Sequence, residues 1–263
     1  AVPTNHARNG PFISASLDAI GAVDHGRYIT REDLSALLHQ HPSTWIYFGH
    51  VSLNYAEPGS ASLHLYDGTS YRDGRALPYA GTAELIEDTH RPLSALDLLL
   101  GTSQDAHRDP GLRYAHPGTV LGHEIWPMPP RVALIACESG GDYAASETFG
   151  LVVAAHSNGA EYVTATRWTL PTDHAFALHH PGLVSTYPTS DLAVNVHRAL
   201  QTTHPIDVTR TWQLKQLHQW AVTGHITHTP LIFASIAVHH APRRNPDGSP
   251  AQHGDSVREG SRG

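Results

Sequence analysis

The stretch Arg131–Gly141, RVALIACESGG, constrains the fold more than any other part of the sequence. Residues Val132–Ala136 are small or apolar and stand between Pro130 and a Gly-Gly pair, which is typical of a buried strand rather than a helix. Cys137, the only cysteine among 263 residues, follows directly. Ligands of open α/β sheets bind at the carboxyl ends of strands, so a thiol at this position lies where active-site residues are commonly found. A buried structural cysteine is the alternative, because free cysteine is among the most buried residue types.

Further strand patterns recur along the chain. Thr44–Phe48 is β-branched and aromatic without polar interruption, which indicates a second buried strand. Residues 61–66 alternate in polarity like a half-buried strand, and Asp67-Gly68 after them is a hairpin signal. We predict that the two buried strands share one sheet with Tyr162–Thr166 and Leu231–Val238.

Helical patterns lie between the strands. The first, 31–40, begins at a sequence resembling a capping box, Thr30–Asp33, and ends at His41-Pro42. Another begins near Ser146 and is terminated by Asn158-Gly159. The remaining helices are predicted at 92–100, 173–179, 191–202 and 209–222. Strands that alternate with helices predict an α/β protein with a mostly parallel sheet covered on both faces.

The composition changes along the chain and indicates its boundaries. Residues 1–25 show no clear period, and we interpret them as an N-terminal extension or the end of an upstream region. Residues 26–240 form the α/β domain, with an insertion at 101–130 rich in Gly, Pro, Asp and His. We interpret this insertion as a surface loop over the site. Residues 241–263 have no apolar anchors, which predicts a disordered tail.

Charge and cysteine content restrict the partners and the compartment. The formal net charge is −7, which argues against a nucleic-acid partner because such a partner requires a basic face. No apolar run reaches the roughly 18 residues of a membrane span, so no membrane partner is expected. A single cysteine cannot form an internal disulfide, and a reducing, cytoplasmic setting is therefore expected.

Histidine is unusually frequent, with 22 residues against 17 for Lys and Arg together. The pairs His179-His180 and His239-His240 lack the HExxH spacing that places two ligands on one helical face. Cys137 is the only thiol that could serve as a ligand. We therefore interpret most histidines as surface residues and expect neither a metal site nor a cofactor. A metal-binding or transport role for the His-rich chain remains an alternative.

His50 follows the first buried strand as Cys137 follows the second. If the two strands lie parallel in one sheet, both side chains emerge at the same edge. Nucleophilic catalysis by cysteine needs a thiolate and an imidazole that accepts and returns the proton. A lone histidine after a strand is commonly a capping or surface group, so the prediction depends on the matching positions of the two residues.

Three motifs, in this order, resemble the CHAT domain, a branch of the caspase-like cysteine peptidases. They are Ile46-Tyr-Phe-Gly-His50, Ala136-Cys-Glu-Ser-Gly140, and Gly159-Ala-Glu-Tyr-Val163 running into Arg167-Trp168. Members of that family usually read H-G after the first strand, A-C-E-T-G after the second, and G-A-x-x-V before a Trp. The resemblance covers roughly residues 30 to 240.

The resemblance implies a caspase-like three-layer sandwich and a cysteine endopeptidase that cleaves protein or peptide substrates. It implies that Cys137 is the nucleophile and His50 the acid/base. CHAT domains often stand behind helical repeats or beside signalling modules. An upstream repeat region or a signalling partner, in a bacterial signalling or defence context, is therefore also implied.

Residue 51 departs from the family pattern, because Val stands where members carry Gly. The resemblance implies that the backbone amides of Val51 and Cys137 line the oxyanion hole. Val keeps an N–H, but a position that needs positive φ would strain a β-branched residue. Loss of one oxyanion donor lowers rates by about 100- to 1000-fold. A catalytically inactive CHAT-fold interaction or signalling module is therefore the alternative function.

Three carboxylates, Glu138, Asp142 and Asp173, lie in or near loops expected at the active edge. A carboxylate at this edge could receive Arg or Lys before the scissile bond, as in clostripain-like peptidases. The alternative is that all three are solvated loop acids.

Overall fold

A four-stranded sheet lies at the centre of the part of the chain that this computed structural model describes. The described residues are 31–49, 51–52, 59, 61–65, 92–100, 122–136, 139, 150–179 and 187–242. Their strands are β1 Thr44–Gly49, β2 Val51–Ser52, β3 Ser62–His64, β4 Pro92–Ser94, β5 Arg131–Ala136, β6 Tyr162–Thr166 and β7 Ile236–His240. Their helices are α1 Arg31–Leu38, α2 Ala95–Leu100, α3 Gly122–Ile125, α4 Leu151–Ser157, α5 Asp173–His179, α6 Pro188–Leu200, α7 Pro205–Thr223 and α8 Pro230–Phe233, with a 3-10 turn at Ile226–His228.

The central sheet has the strand order β1-β5-β6-β7. Strands β1, β5 and β6 are parallel, and β7 runs antiparallel to β6. β1 and β5 pair over their whole lengths, from Thr44 opposite Arg131 to Gly49 opposite Ala136. The two strands therefore end level with each other. The class is α/β with a mostly parallel sheet, as the sequence predicts.

Both faces of the sheet are buried, which explains the continuous apolar sequences of its strands. Along β5, Val132 and Leu134 belong to one hydrophobic core, whereas Ala133 and Ile135 belong to another. Side chains of α1, α2 and α4 contribute to the first core. Side chains of α5, α6 and α8 contribute to the second. Helices thus cover the sheet on both sides.

A second, antiparallel sheet has the order β2-β3-β4 and packs on the first core. Tyr47 joins this sheet to β1. Its hydroxyl donates to the His64 carbonyl oxygen at 3.1 Å and accepts from the His64 N–H at 3.0 Å. The Tyr47 side chain is fully buried. The link therefore fixes the second sheet to the strand that ends at Gly49.

A buried ion pair connects α1 to the start of α2. Arg31 Nη2 lies 3.2 Å from Asp97 Oδ2, and the two side chains are 4% and 1% exposed. The same carboxylate accepts from the Ser94 N–H at 2.9 Å and hydroxyl at 2.8 Å, and Ser94 Oγ accepts from the Asp97 N–H at 3.0 Å. Ser94 and Asp97 are thus a reciprocal cap at the beginning of α2.

Most of the predicted elements are confirmed, with boundary shifts of a few residues. The strands predicted at 44–48, 132–136 and 162–166 correspond to β1, β5 and β6. The helices predicted at 31–40, 173–179, 191–202 and 209–222 correspond to α1, α5, α6 and α7. The helix predicted to end at Asn158-Gly159 does so, and Gly159 has a positive φ of 111°.

The strand predicted at Leu231–Val238 is wrong in its first half. Pro230–Phe233 is a helical turn, and the strand begins at Ile236. Thr229 caps this turn, because its side chain accepts from the Leu231 N–H. The apolar run therefore contains a helix start at Pro230, which is a preferred first helical residue.

Two other predictions also need correction. The helix predicted at 92–100 begins only at Ala95, because residues 92–94 form strand β4. The surface loop predicted at 101–130 contains helix α3 and the buried residues Trp126 and Met128. A Cβ on Gly122 would overlap the carbonyl oxygen of Leu98, so α2 and α3 can pack closely only with glycine here.

Several predicted features lie outside the described residues. They are the N-terminal segment 1–25, the turn at Asp67-Gly68, most of the 101–130 insertion, the helix cap at Ser146 and the tail beyond 242. Thr30, the first residue of the proposed capping box, also lies outside them. Of the helices that the structure describes, none is both long enough and apolar enough to span a membrane.

Candidate functional site at the ends of two parallel strands

The carboxyl ends of β1 and β5 define the candidate site. Gly49 and Ala136 are paired at the ends of these adjacent parallel strands. The next residue after Gly49 is His50, and the next after Ala136 is Cys137. Both lie outside the described residues, as do Glu138 and Asp142. The catalytic and substrate-binding roles of these four residues therefore stay predictions.

Gly49, the residue before His50, is required by packing. A Cβ at this position would lie 2.7 Å from the Tyr47 hydroxyl oxygen and 2.8 Å from the ring carbon that carries it. The Tyr47 ring is buried, and its hydroxyl is bonded to the His64 backbone. Because the ring has no room to move aside, a larger residue at position 49 would disturb the end of β1. Packing against Tyr47 therefore explains why a glycine precedes His50, independently of any catalytic role.

Ser139 and Thr166 connect the turn after Cys137 to the end of β6. Both side chains are fully buried. The Ser139 hydroxyl donates to the Leu134 carbonyl, and the Thr166 hydroxyl donates to the Ala136 carbonyl. The Thr166 N–H donates to Ser139 Oγ at 2.9 Å, and the Ser139 N–H donates to Thr166 Oγ1 at 3.4 Å. We refer to these four hydrogen bonds as the Ser139–Thr166 clamp.

The clamp holds the residues on both sides of the Cys137-Glu138 dipeptide. Ala136 precedes the dipeptide and Ser139 follows it, and Thr166 Oγ1 contacts both. Each hydroxyl has one proton, and each proton goes to a carbonyl, so the 2.9 Å approach of Ser139 Oγ to Thr166 Oγ1 adds no further bond. The backbone on either side of the predicted nucleophile is therefore fixed, which is what a preorganised site requires.

Val51 has an ordinary backbone conformation. It lies in β2, pairs with Leu63 and packs its half-buried side chain on the first core. Among the described non-glycine residues, only His41 has a positive φ. The strain that a β-branched residue would meet at positive φ is therefore not present at Val51. Val in place of the Gly of the CHAT pattern is compatible with this backbone.

Asp173 caps a helix. Its side chain is 7% exposed, and it accepts from the Thr189 N–H at 2.8 Å, the Ser190 N–H at 3.1 Å and the Ser190 hydroxyl at 2.5 Å. Thr189 and Ser190 lie in the first turn of α6, whose N-cap residue Tyr187 supplies no side-chain cap. Burial raises the pKa of Asp173, and these hydrogen bonds oppose the rise. Asp173 is therefore not a solvated loop acid, and both carboxylate oxygens already have donors.

A group of histidines lies at the other end of the sheet, where β6 begins. The pKa of His156 in α4 and the pKa of His239 in β7 are both lowered, mainly because burial disfavours the charged ring. His240 stacks on Tyr162 with ring centres 4.6 Å apart, and its Nε2 lies 3.7 Å from a Glu161 carboxylate oxygen. Within the described ranges, no three His, Cys, Asp or Glu residues are grouped as metal ligands would be.

Sequence reasoning missed the clamp. From the sequence, Thr166 is predicted only as the end of a strand, and Ser139 has no predicted role. One signal was present, because a hydroxyl stands at position 139 both in ACESG and in the family's A-C-E-T-G. A hydroxyl two residues after a nucleophile indicates a hydrogen bond to the backbone nearby, but not its partner.

Comparisons with known proteins provide no family assignment. A scan of the sequence against profiles of protein families finds no match, and a search of curated proteins finds no significant relative. The geometry of the strand ends and the three sequence motifs are therefore the basis for assigning a function.

Proposed function

We propose that this protein is a CHAT-type cysteine endopeptidase with a caspase-like fold, which cleaves protein or peptide substrates through a His50–Cys137 dyad. The observation that carries the proposal is the level ending of β1 and β5, where Gly49 lies opposite Ala136. His50 and Cys137 are the next residues in the chain. The chemistry needs no cofactor, because the thiolate is the nucleophile and the imidazole moves the proton.

Covalent geometry supports the pairing of the two residues. Neighbouring strands lie about 4.8 Å apart, and consecutive Cα atoms are about 3.8 Å apart. His50 and Cys137 are each one peptide unit beyond a paired residue. They therefore leave adjacent strand ends, and the lengths of the two side chains are sufficient for a contact between imidazole and sulfur.

The proposed reaction is acyl transfer in two steps. His50 accepts the thiol proton of Cys137, and the thiolate attacks the carbonyl carbon of the scissile peptide bond. Backbone N–H groups of Val51 and Cys137 donate to the oxyanion of the tetrahedral intermediate. The imidazolium then gives its proton to the leaving amine, and a water activated by His50 hydrolyses the thioester.

Three features of the described residues support this proposal. Gly49, which precedes His50, fits the end of β1 because a Cβ at this position would collide with the Tyr47 ring. The Ser139–Thr166 clamp fixes the backbone on both sides of the Cys137-Glu138 dipeptide. The backbone of Val51 has no positive φ, so a β-branched residue stands at this position without strain.

Cleavage of a protein and peptide library by the full chain tests the proposal. We expect products from the native chain, none from Cys137→Ser, and a rate lower by about 100-fold or more from His50→Ala. His218→Gln is the matched control, because it changes an exposed histidine on α7 and should leave the rate unchanged.

The test also distinguishes the alternative function. A native chain that cleaves no member of the library, and whose Cys137 reacts with thiol probes only after unfolding, would contradict the peptidase proposal. Such a protein would be an inactive CHAT-fold interaction or signalling module.

A further inference from the structure

A cleft of about 500 Å³ lies beside α6, apart from the carboxyl ends of β1 and β5. The first half of α6, one face of α7, the 3-10 turn and α8 form its walls. Its volume is within the range of small-molecule sites. The residues that give the cleft its chemical character are Asp191, Trp212, Gln216 and His228.

The polar groups of this cleft include two hydrogen-bond acceptors. Asp191 is exposed at the cleft, and no Lys or Arg lines the cleft, so Arg198, farther along α6, is the cation whose charge acts on Asp191 from outside it. His228 Nδ1 lies 2.7 Å from Gln216 Oε1. Because an amide oxygen only accepts, Nδ1 carries the proton, and Nε2 of the neutral ring is an acceptor. A carboxylate and an imidazole nitrogen both suit a ligand that donates hydrogen bonds.

Trp212 adds an aromatic wall. It is half-buried and packs on the second core, which restricts the position of its ring. A cation that lies over the face of an indole is attracted by the negative face of the ring. A carboxylate, a ring nitrogen and an indole together are suited to an ammonium or guanidinium group.

The helix terminus beside the cleft is not available to an anion. The N–H groups of Thr189 and Ser190 donate to Asp173, and the Asp191 N–H donates to the Tyr187 carbonyl at 2.8 Å. The donors of the first turn are therefore already used. Partial burial raises the pKa of Asp191 and repulsion from Asp173 adds to the rise, whereas the charge of Arg198 opposes it. A bound cation would reduce this repulsion, whereas an anion would increase it.

The cleft lies toward the same end of the sheet as the candidate site. Arg131 at the start of β5 donates to the Leu200 carbonyl at the end of α6 at 2.7 Å. Helix α6 therefore runs against the direction of β5, and its first turn lies toward the carboxyl ends of the parallel strands. α8 precedes β7, whose first residue Ile236 pairs with Thr166 at the end of β6.

We propose that this cleft binds an organic monocation, an alkylammonium or alkylguanidinium group, with Asp191 as its counter-ion and Trp212 against its face. The group belongs either to a free amine or to a Lys or Arg side chain of a polypeptide. Binding of this cation does not require the proposed peptidase activity, so the two proposals fail independently.

Calorimetric titration of the full chain with butylguanidinium, and with its neutral isostere butylurea, tests the site. We expect saturable binding of butylguanidinium and none of butylurea. Asp191→Asn should weaken butylguanidinium binding by about fivefold or more, because a charge-assisted hydrogen bond becomes a neutral one. Asp207→Asn is the matched control, since it removes the same charge from an exposed position on α7 outside the cleft and should leave the affinity unchanged.

A second titration distinguishes the two sources of the cation. It uses the full chain carrying Cys137→Ser, which cannot turn over a peptide by the proposed mechanism, and compares an arginine tripeptide amide with its citrulline counterpart. If the arginine peptide binds more tightly than butylguanidinium, the natural source of the cation is a polypeptide side chain. If the two bind with equal affinity, the natural source is a free amine. No saturable binding of butylguanidinium, equal binding of butylurea, or an unchanged affinity in Asp191→Asn would each overturn the proposed site, whatever the peptidase assays show.

Discussion

Replacement of Thr166 by Val should weaken the attachment of the turn after Cys137 to the end of β6. Val has nearly the shape of Thr but no hydroxyl. The change removes the donor to the Ala136 carbonyl and the acceptor for the Ser139 N–H, whereas the bond from the residue 166 N–H to Ser139 Oγ remains. A hydrogen bond contributes about 1 kcal/mol, and a buried group left unpaired costs about 1–3 kcal/mol. We therefore expect the free energy of unfolding to fall by about 2–4 kcal/mol.

This loss is measurable by thermal unfolding. In a domain of this size, 1 kcal/mol corresponds to about 2–4 °C, so the Tm of Thr166→Val should fall by about 5–15 °C in circular dichroism. Thr166→Ser is the matched control, because it keeps the hydroxyl and loses only a methyl group. Its cost should be about 1 kcal/mol.

The functional consequence is read from the alkylation of Cys137 by iodoacetamide, which reports one site because the sequence contains one cysteine. At a temperature where every variant is folded, Thr166→Val should be alkylated at least about tenfold more slowly than the native chain at pH 7, because a misplaced catalytic group loses its activating contacts. Thr166→Ser should keep a rate close to the native one. Equal rates in the native chain and Thr166→Val, together with a lower Tm, would refute the claim that the clamp positions the thiol.

Three further predictions follow from the described residues. Val51→Gly should change the cleavage rate little and lower the free energy of unfolding by about 0.5–1 kcal/mol, because glycine adds only unfolded-state freedom; a large gain in rate would show that Val51 holds the loop away from its catalytic geometry. Arg31→Met should lower the free energy of unfolding in urea by about 2–4 kcal/mol, because the buried Asp97 loses the guanidinium; a loss below about 1 kcal/mol would contradict this. The folded pKa values of His156 and His239 are lowered by burial, so at these two positions the unfolded chain binds more protons below about pH 6.5, and their contribution to stability should fall as the pH falls toward 5. Replacing both histidines by Gln should reduce that fall, and an unchanged dependence would exclude them as its cause.

The central strands could be predicted because burial on both faces leaves a continuous apolar pattern. The same pattern misleads where a second local signal competes with it. In the run after residue 230, Thr229 and Pro230 begin a helical turn before the strand starts at Ile236. Near residue 92 the proline resembles a helix start, but the cap is formed by Ser94 and Asp97, so the helix begins three residues later, at Ala95.

Part of the candidate site could likewise be predicted from local sequence, and part of it could not. The strand ends could be predicted from local sequence, because each strand is bounded by its own composition. The clamp could not, since it joins Ser139 to a residue 27 positions away through the pairing of β5 with β6. The role of Asp173 depends likewise on the position of α6, whose first turn it caps from 16 and 17 residues away.

The pH dependence of Cys137 alkylation tests whether His50 activates this thiol. The native chain, His50→Ala and the control His218→Gln are treated with iodoacetamide across about pH 5–10. A free thiol titrates near pH 8.5, and a cysteine paired with an imidazole titrates well below that value. We expect a depressed thiol pKa in the native chain and in His218→Gln, and a return toward the free value in His50→Ala. A profile like that of a free thiol in all three, or no reaction before unfolding, would contradict it.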